Sequence, residues 1–301
     1  MPHVLQELRL PTNQFGMVTT AGGYSFSPME ALCTFLCRMA SSANSWELLL
    51  PLLGGASPAR YRAGYCRVLE HIFNTFKRFI DDITRWSTVA GDWATSIHEA
   101  GAPAMRCAGF IDGTFRPCSR PVRGQRQIYW GYKKLHGLKY QSVIGPNGLI
   151  IDLFGAIVGR RSDSYMLARS QLLARMAALC QAAGNPFYLY GDPAYPLSMY
   201  ILRGYKGAMT PQQQAFSTAM SRLRVSVEWG FALVLADWKY VDYKKNLKLL
   251  QQPIGKMYFV ACILANMKTC VTASHALDGF GNLIAQKFRV SPPSLHDYLW
   301  S

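Results

Sequence analysis

The strongest constraint on the fold is a set of short apolar runs, punctuated by turn residues, between residues 107 and 191. Phe110-Ile111-Asp112-Gly113-Thr114 reads as a buried strand ending at a turn. Gln127–Lys134, Leu138–Ile144 and Leu149–Val158 read as further strands, the last two joined by the hairpin turn Pro146-Asn147-Gly148. Helical spacing then covers Ser164–Ala183 and stops at Gly184-Asn185-Pro186. Phe187–Tyr190 is another short strand, running into Gly191-Asp192-Pro193. Pro211–Leu235 and Pro253–Cys270 are predicted helices, each opened by a proline. Meandering strands, a helix, a strand and then helices suit an α/β mixed sheet flanked by helices.

Ahead of this region the period changes. Residues 1–24 read as irregular, with Pro11, Gly16, Gly22 and Gly23. Ser27-Pro28-Met29-Glu30 is a helix start, with Ser27 as cap and Pro28 at the first position. Leu32, Phe35, Leu36 and Met39 then share one helical face. A short helix fits Trp46–Leu53 and stops at Gly54-Gly55. Ser57-Pro58 opens a third, carrying Arg60, Arg62 and Arg67. Residues 25–100 thus predict a small all-α, helix-turn-helix-like region whose basic helix meets DNA. An ordinary helical subdomain with solvated arginines is the alternative. The expected organisation continues with a domain over 105–272 and a surface-wrapping tail over 273–301.

The 301 residues are 50% hydrophobic, enough for a core, and carry 32 Lys+Arg against 17 Asp+Glu. The resulting net charge of +15 favours polyanions, because each phosphate neutralised releases a counterion. The excess is concentrated between Arg106 and Arg169, where Asp112, Asp152 and Asp163 are the acids present. The 8 cysteines include no CxxC pair and no zinc-type Cys/His cluster, which fits a reducing compartment. The start lacks the pattern of a secretory signal. The greasy run near Met257–Met267 falls short of the about 18 residues a bilayer takes. No membrane is expected.

Four acids stand at structural edges. Asp112 and Asp192 end apolar strands, Asp163 sits at a loop-to-helix junction, and Glu228 lies inside a long helix among apolar neighbours. A carboxylate at the end of a core strand is costly unless paired or bound to a cation. Converging carboxylates repel, and a divalent metal turns that repulsion into attraction. Each acid also has a local reading: Asp112 and Asp192 as turn residues, Asp163 as a helix cap, Glu228 as the partner of Arg224. Asp152 alternates with apolar residues and is expected to face solvent. Asp237 and Asp242, beside Lys239, Lys244 and Lys245, look like surface pairing.

At these residues a resemblance appears. Phe110–Thr114, Gly159–Ser164, Tyr190–Pro196 and Arg224–Phe231 resemble the motif blocks of the DDE superfamily endonucleases of PIF/Harbinger transposases, a group that includes the Harbinger-derived nucleases of animals. The match runs from about Cys107 to Cys270 and takes in QRQIYWGYKKLHGLKYQSVIGPNGLI and DYKKNLKLLQQPIGKMYFVACILAN. Residues 25–100 resemble the helical segment that precedes that nuclease. The resemblance implies an RNase H-like core with Asp112, Asp192 and Glu228 as catalytic metal ligands, and Asp163 as a fourth ligand. Pro193-Ala194 depart from the Ser-Gly of many relatives but keep Asp192 and Tyr195. A Myb-like DNA-binding partner, a homo-oligomer acting on two DNA ends and a nuclear location are implied as well.

The expected chemistry is DNA cleavage and strand transfer with two Mg²⁺ (or Mn²⁺) ions. Lys133, Lys134, Arg160 and Arg161 are expected on the phosphate backbone, with Arg60, Arg62 and Arg67 as a second DNA contact. Tyr129, Trp130 and Tyr132 serve either base stacking or core packing. Two rivals remain: a domesticated, catalytically silent DNA-binding protein, and a metal-dependent phosphodiesterase acting on RNA or a small substrate.

Overall fold

A computed structural model describes residues 2–42, 45–242 and 247–300. Its first part holds α1 (Pro2–Leu8), β1 (Val18–Thr19), β2 (Ser25–Phe26), α2 (Pro28–Ala40), α3 (Leu50–Leu53), α4 (Pro58–Phe76) and α5 (Ala90–Glu99). The sheet region follows with β3 (Cys107–Pro117), α6 (Gln125–Ile128), β4 (Tyr129–Trp130), β5 (Leu135–Ile144) and β6 (Ile150–Val158). Next come α7 (Asp163–Ser170), α8 (Leu172–Ala183), β7 (Tyr188–Gly191) and β8 (Ile201–Arg203). The chain ends with α9 (Pro211–Asp237), α10 (Ile254–His275), α11 (Leu283–Phe288) and α12 (Leu295–Trp300).

Local chemistry sets many of these boundaries. Ser27 and Ser57 cap α2 and α4 by accepting the N–H groups of Glu30 and Arg60, with proline at the start of each helix. Thr210 and Gln213 close a capping box on α9. Among the described residues the main sheet runs β4-β5-β3-β7-β8, with β6 also on β5. β3 is antiparallel to β5 and parallel to β7. This is a mixed α/β sheet flanked by helices, in the RNase H-like layout expected.

Alternation along β3 assigns the helices to two faces. Phe110, Asp112 and Thr114 look towards α9, α10 and α11: Phe110 stacks on Phe288, and Tyr140, opposite Thr114, packs on Tyr258. Gly113 looks the other way, towards α7, where a Cβ would come within 2.8 Å of Asp163 Oδ1 and 3.3 Å of Met166. α10 is long and apolar enough, at 22 residues, to cross a membrane, yet it is mostly buried and packs against α4, β6 and α12.

Several elements depart from the sequence expectation. Gln127–Lys134 is not a strand: it holds the end of one helical turn, the two residues of β4 and an exposed turn over 131–134. Left-handed backbone at Gly124 (φ 69°) and Lys134 (φ 52°) brackets it. The helix expected over Ser164–Ala183 breaks at Gln171, whose φ of 55° ends α7 and redirects the chain into α8. Trp46–Leu53 keeps the single turn Leu50–Leu53. Residues 1–24 contain α1 and β1. The tail does not merely wrap the surface, because Ile284, Phe288, Tyr298 and Leu299 are buried. Asp237 pairs with Lys268, while Lys244 and Lys245 lie outside the described residues.

Asp152 corrects the expectation of a solvent-facing acid. It is fully buried, because β6 is covered on both faces over 150–153, and Arg175 reaches its Oδ2 at 2.6 Å. Burial lifts the Asp152 carboxyl to about 6, against the pull of Arg175. The folded protein therefore holds this proton more tightly than the unfolded chain, whose carboxyl titrates near about 3.9. Stability contributed by the protonated form is lost as pH rises from roughly 4 through 6. In Asp152→Asn, thermal melts over that window are expected to lose part of this downward slope. An unchanged slope would place the titration elsewhere.

Candidate functional site

The site begins where β7 stops. Gly191, its last residue, pairs with Ile111 of the longer β3. One residue further along the same parallel register stand Asp192 and Asp112. The open ends of parallel strands are where α/β sheets commonly bind ligands. Asp112 Oδ1 accepts the Gly113 N–H at 2.7 Å, and Oδ2 meets Arg224 Nη1 at 2.8 Å. Asp192 Oδ1 accepts the Ala194 N–H at 2.7 Å, closing a tight turn. Two cross-ties hold that turn: Ser164 Oγ donates to Ala194 O at 3.2 Å, and Arg203 Nη1 donates to Pro193 O at 3.2 Å. It is thus anchored to both α7 and β8.

Asp163 is the first residue of α7, but Ser162 is the cap, accepting the Tyr165 N–H. The Asp163 carboxylate instead pairs with Lys139 Nζ at 3.5 Å. Lys139 is buried, with its ammonium 4.3 Å from the centre of the Trp130 ring. Asp163 lies under Gly113, on the face opposite to the Asp112 carboxylate, and only glycine leaves it room there. Glu228 lies on α9, one turn beyond Arg224, with its side chain 56% exposed. Arg224 Nη2 reaches Glu228 Oε1 at 3.4 Å, so one guanidinium bridges Asp112 and Glu228.

The electrostatics single out Asp112. Burial raises its carboxyl to about 6; Arg224 pulls it down, while Asp192 and Asp163 push it up. The acids are therefore close enough to feel one another, and Arg224 does not cancel their charge. Among the described residues no three His, Cys, Asp or Glu side chains already form a metal cage. The donors are nevertheless carboxylate oxygens from separate elements, the chemistry a hard divalent cation takes. In charge and donor type they fit Mg²⁺ or Mn²⁺, with Arg224 engaged by two of them.

The basic residues fall into two groups. Lys133, Lys134 and Arg160 are exposed, and the Arg161 guanidinium lies 4.5 Å from the Tyr165 ring centre. A Cβ on Gly159 would meet Gly137 O and Ile128 O, so Arg160 and Arg161 follow a point close to the residue before β4. Trp130 is rooted on Phe115 at 4.9 Å, with Lys133 and Lys139 over its ring, whereas Tyr132 is 86% exposed. On α4, Arg62 and Arg67 are exposed, while Arg60 is bound to Glu30, to Ser25 O and over the Phe26 ring. Sequence reasoning found the pairing of Arg224 with Glu228 but missed its contact with Asp112 and the role of Lys139 as an internal cation. The available signal was a lysine inside the strand expected over Leu138–Ile144.

Compared with known protein families, residues 111–266 match the model described as DDE superfamily endonuclease. No curated protein and no solved structure matches the chain.

Proposed function

The chain belongs to the DDE superfamily endonucleases, and on that premise we propose that it is a Harbinger-type transposase nuclease that cuts DNA and joins the freed end to a target. The observation that carries this reading is the adjacency of Asp112 and Asp192 at the end of the β3–β7 pair, beside the helix that bears Glu228. Asp112, Asp192 and Glu228 would hold two Mg²⁺ or Mn²⁺ ions, and Asp163 joins them only by leaving Lys139. When bound, such ions supply Lewis-acid stabilisation of in-line phosphoryl transfer.

The chain's own contribution is positional. Ser164 and Arg203 fix the turn that presents Asp192, and Arg224 keeps positive charge beside Asp112. Lys133, Lys134, Arg160 and Arg161 bind the DNA backbone, and exposed Tyr132 offers a ring for base stacking. In the same reading Arg62 and Arg67 give a second DNA contact, a Myb-like protein and further copies of this chain are the partners, and the nucleus is the location.

One observation favours a second reading, a catalytically silent DNA-binding protein: Arg224 already bridges Asp112 and Glu228. Plasmid nicking with Mg²⁺ or Mn²⁺, with a chelator control and DNA and RNA duplexes as competitors, separates the cases. Cation-dependent DNA nicking supports the transposase. Tight DNA binding without cleavage supports the silent protein, and preferred RNA cleavage supports a different phosphodiesterase. Replacing Lys133, Lys134, Arg160 and Arg161 together by alanine is expected to lower the slope of log affinity against log salt by roughly 3–4. An unchanged slope would move the main DNA track elsewhere, with Arg62 and Arg67 of α4 the next to test.

A further inference from the structure

We infer that Tyr195 is a positioning residue for the acidic centre, its hydroxyl orienting one of the carboxylates Asp112, Asp163 and Asp192 when a divalent cation binds there. The inference rests on the metal-dependent nuclease reading above. Tyr195 is 1% exposed. Its ring lies against Gly191, where a Cβ would come within 3.1 Å of it, so the ring depends on that glycine for its place. Its N–H donates to Asp192 O at 3.1 Å, and the preceding residue is tied to α7 by Ser164. The side chain is therefore held in one position.

The hydroxyl at its tip is buried and has no hydrogen-bond partner. A buried O–H without an acceptor is unfavourable, and phenylalanine would fill the same space without that cost. The charges acting on the hydroxyl are those of Asp163, Asp112 and Asp192, opposed by Arg224. A phenol O–H can donate a hydrogen bond to a carboxylate oxygen. The three carboxylates are its natural acceptors, yet each is turned to another partner: Asp163 to Lys139, Asp112 to Gly113 and Arg224, Asp192 to Ala194. A cation bound at this centre would rearrange these contacts and offer Tyr195 an acceptor. A carboxylate ligand whose second oxygen is held by a hydrogen bond is fixed in orientation, and such outer partners govern metal affinity.

The test uses the full chain, with Mn²⁺ alone as the probe, in calorimetric titrations and in thermal melts with and without the ion. Tyr195→Phe is expected to weaken Mn²⁺ binding by about 10–100-fold while its melting temperature without Mn²⁺ stays level or rises. Wild-type affinity in Tyr195→Phe, alongside lost binding in Asp112→Asn, would reduce Tyr195 to a packing residue. A fall in the Mn²⁺-free melting temperature that accounts for the lost affinity would do the same. Absence of Mn²⁺ binding by the wild type, or undiminished binding by Asp112→Asn, would instead overturn the metal reading and this inference with it.

Discussion

Asp112→Asn is expected to lower Mg²⁺-dependent DNA nicking at least about a thousandfold, roughly 4 kcal/mol of barrier, without unfolding the protein. Asparagine keeps the shape and can still accept the Gly113 N–H, while removing a charge that burial already resists. What it removes is the central anionic donor of the set. Glu228→Gln is the sharper companion. Glu228 is the most exposed of the four acids and contacts Arg224 alone among the described groups, so its local role is that of an ordinary helix ion pair. Were that its whole role, the substitution would change stability by about 0.3–0.5 kcal/mol and leave nicking untouched. As a metal ligand it is expected to match the loss at Asp112. Asp163→Asn is expected to cost less, because its carboxylate already serves Lys139 on the opposite face of β3. Equal nicking by the wild type, Asp112→Asn and Glu228→Gln removes the proposed site.

The difference between these acids shows what the sequence could and could not convey. Asp112 and Asp192 were visible as candidates because each closes a short apolar run, a local pattern; Asp192 does stand at a turn, whereas the turn expected after Asp112 is absent, because β3 stays paired with β5 as far as Pro117. Their adjacency was not visible, because it arises from parallel pairing of β3 with β7 across three intervening strands and three helices. The β5–β6 hairpin and the starts of α2, α4 and α9 were legible for the same local reason: a Pro-Asn-Gly turn, Ser-Pro pairs at α2 and α4, and the proline that opens α9. Asp152 looked like an outward residue because alternation cannot tell a solvated face from one covered by an arginine partner. Gln171 gave no warning, since a non-glycine residue in left-handed backbone is set by the packing of the helices on either side of it. Arg224 read as a helix partner of Glu228, and its second contact, Asp112, comes from the tertiary fold.

Asn266→Leu is expected to be the most destabilising single change away from the acids. Among the described residues β6 has β5 as its sheet neighbour, which leaves the start of its outer edge in need of partners. Asn266, buried in α10, supplies them: its Oδ1 accepts the Ile150 N–H at 2.9 Å and its Nδ2 donates to Ile150 O at 2.8 Å. Nδ2 also donates to the Tyr298 hydroxyl at 2.9 Å, tying α12 to the same point. One carboxamide thus acts as a short stretch of strand and as a clamp between three elements. Leucine has similar bulk and no polar atoms, so the backbone N–H and C=O of Ile150 would be stranded in the core. At about 1–3 kcal/mol for each stranded group, the expected loss is about 3–5 kcal/mol, a fall in melting temperature of roughly 10 °C. Tyr298→Phe, which removes one bond and strands no backbone group, is expected to cost about 1 kcal/mol. The two variants together separate the strand-mimic role from simple packing: comparable melting shifts for both would show that the carboxamide's bonds to Ile150 contribute little. Because β6 runs directly into the Gly159–Asp163 segment, loosening its start is also expected to reach Asp163 and Ser164, so a partly folded Asn266→Leu should lose nicking more steeply than it loses helix content.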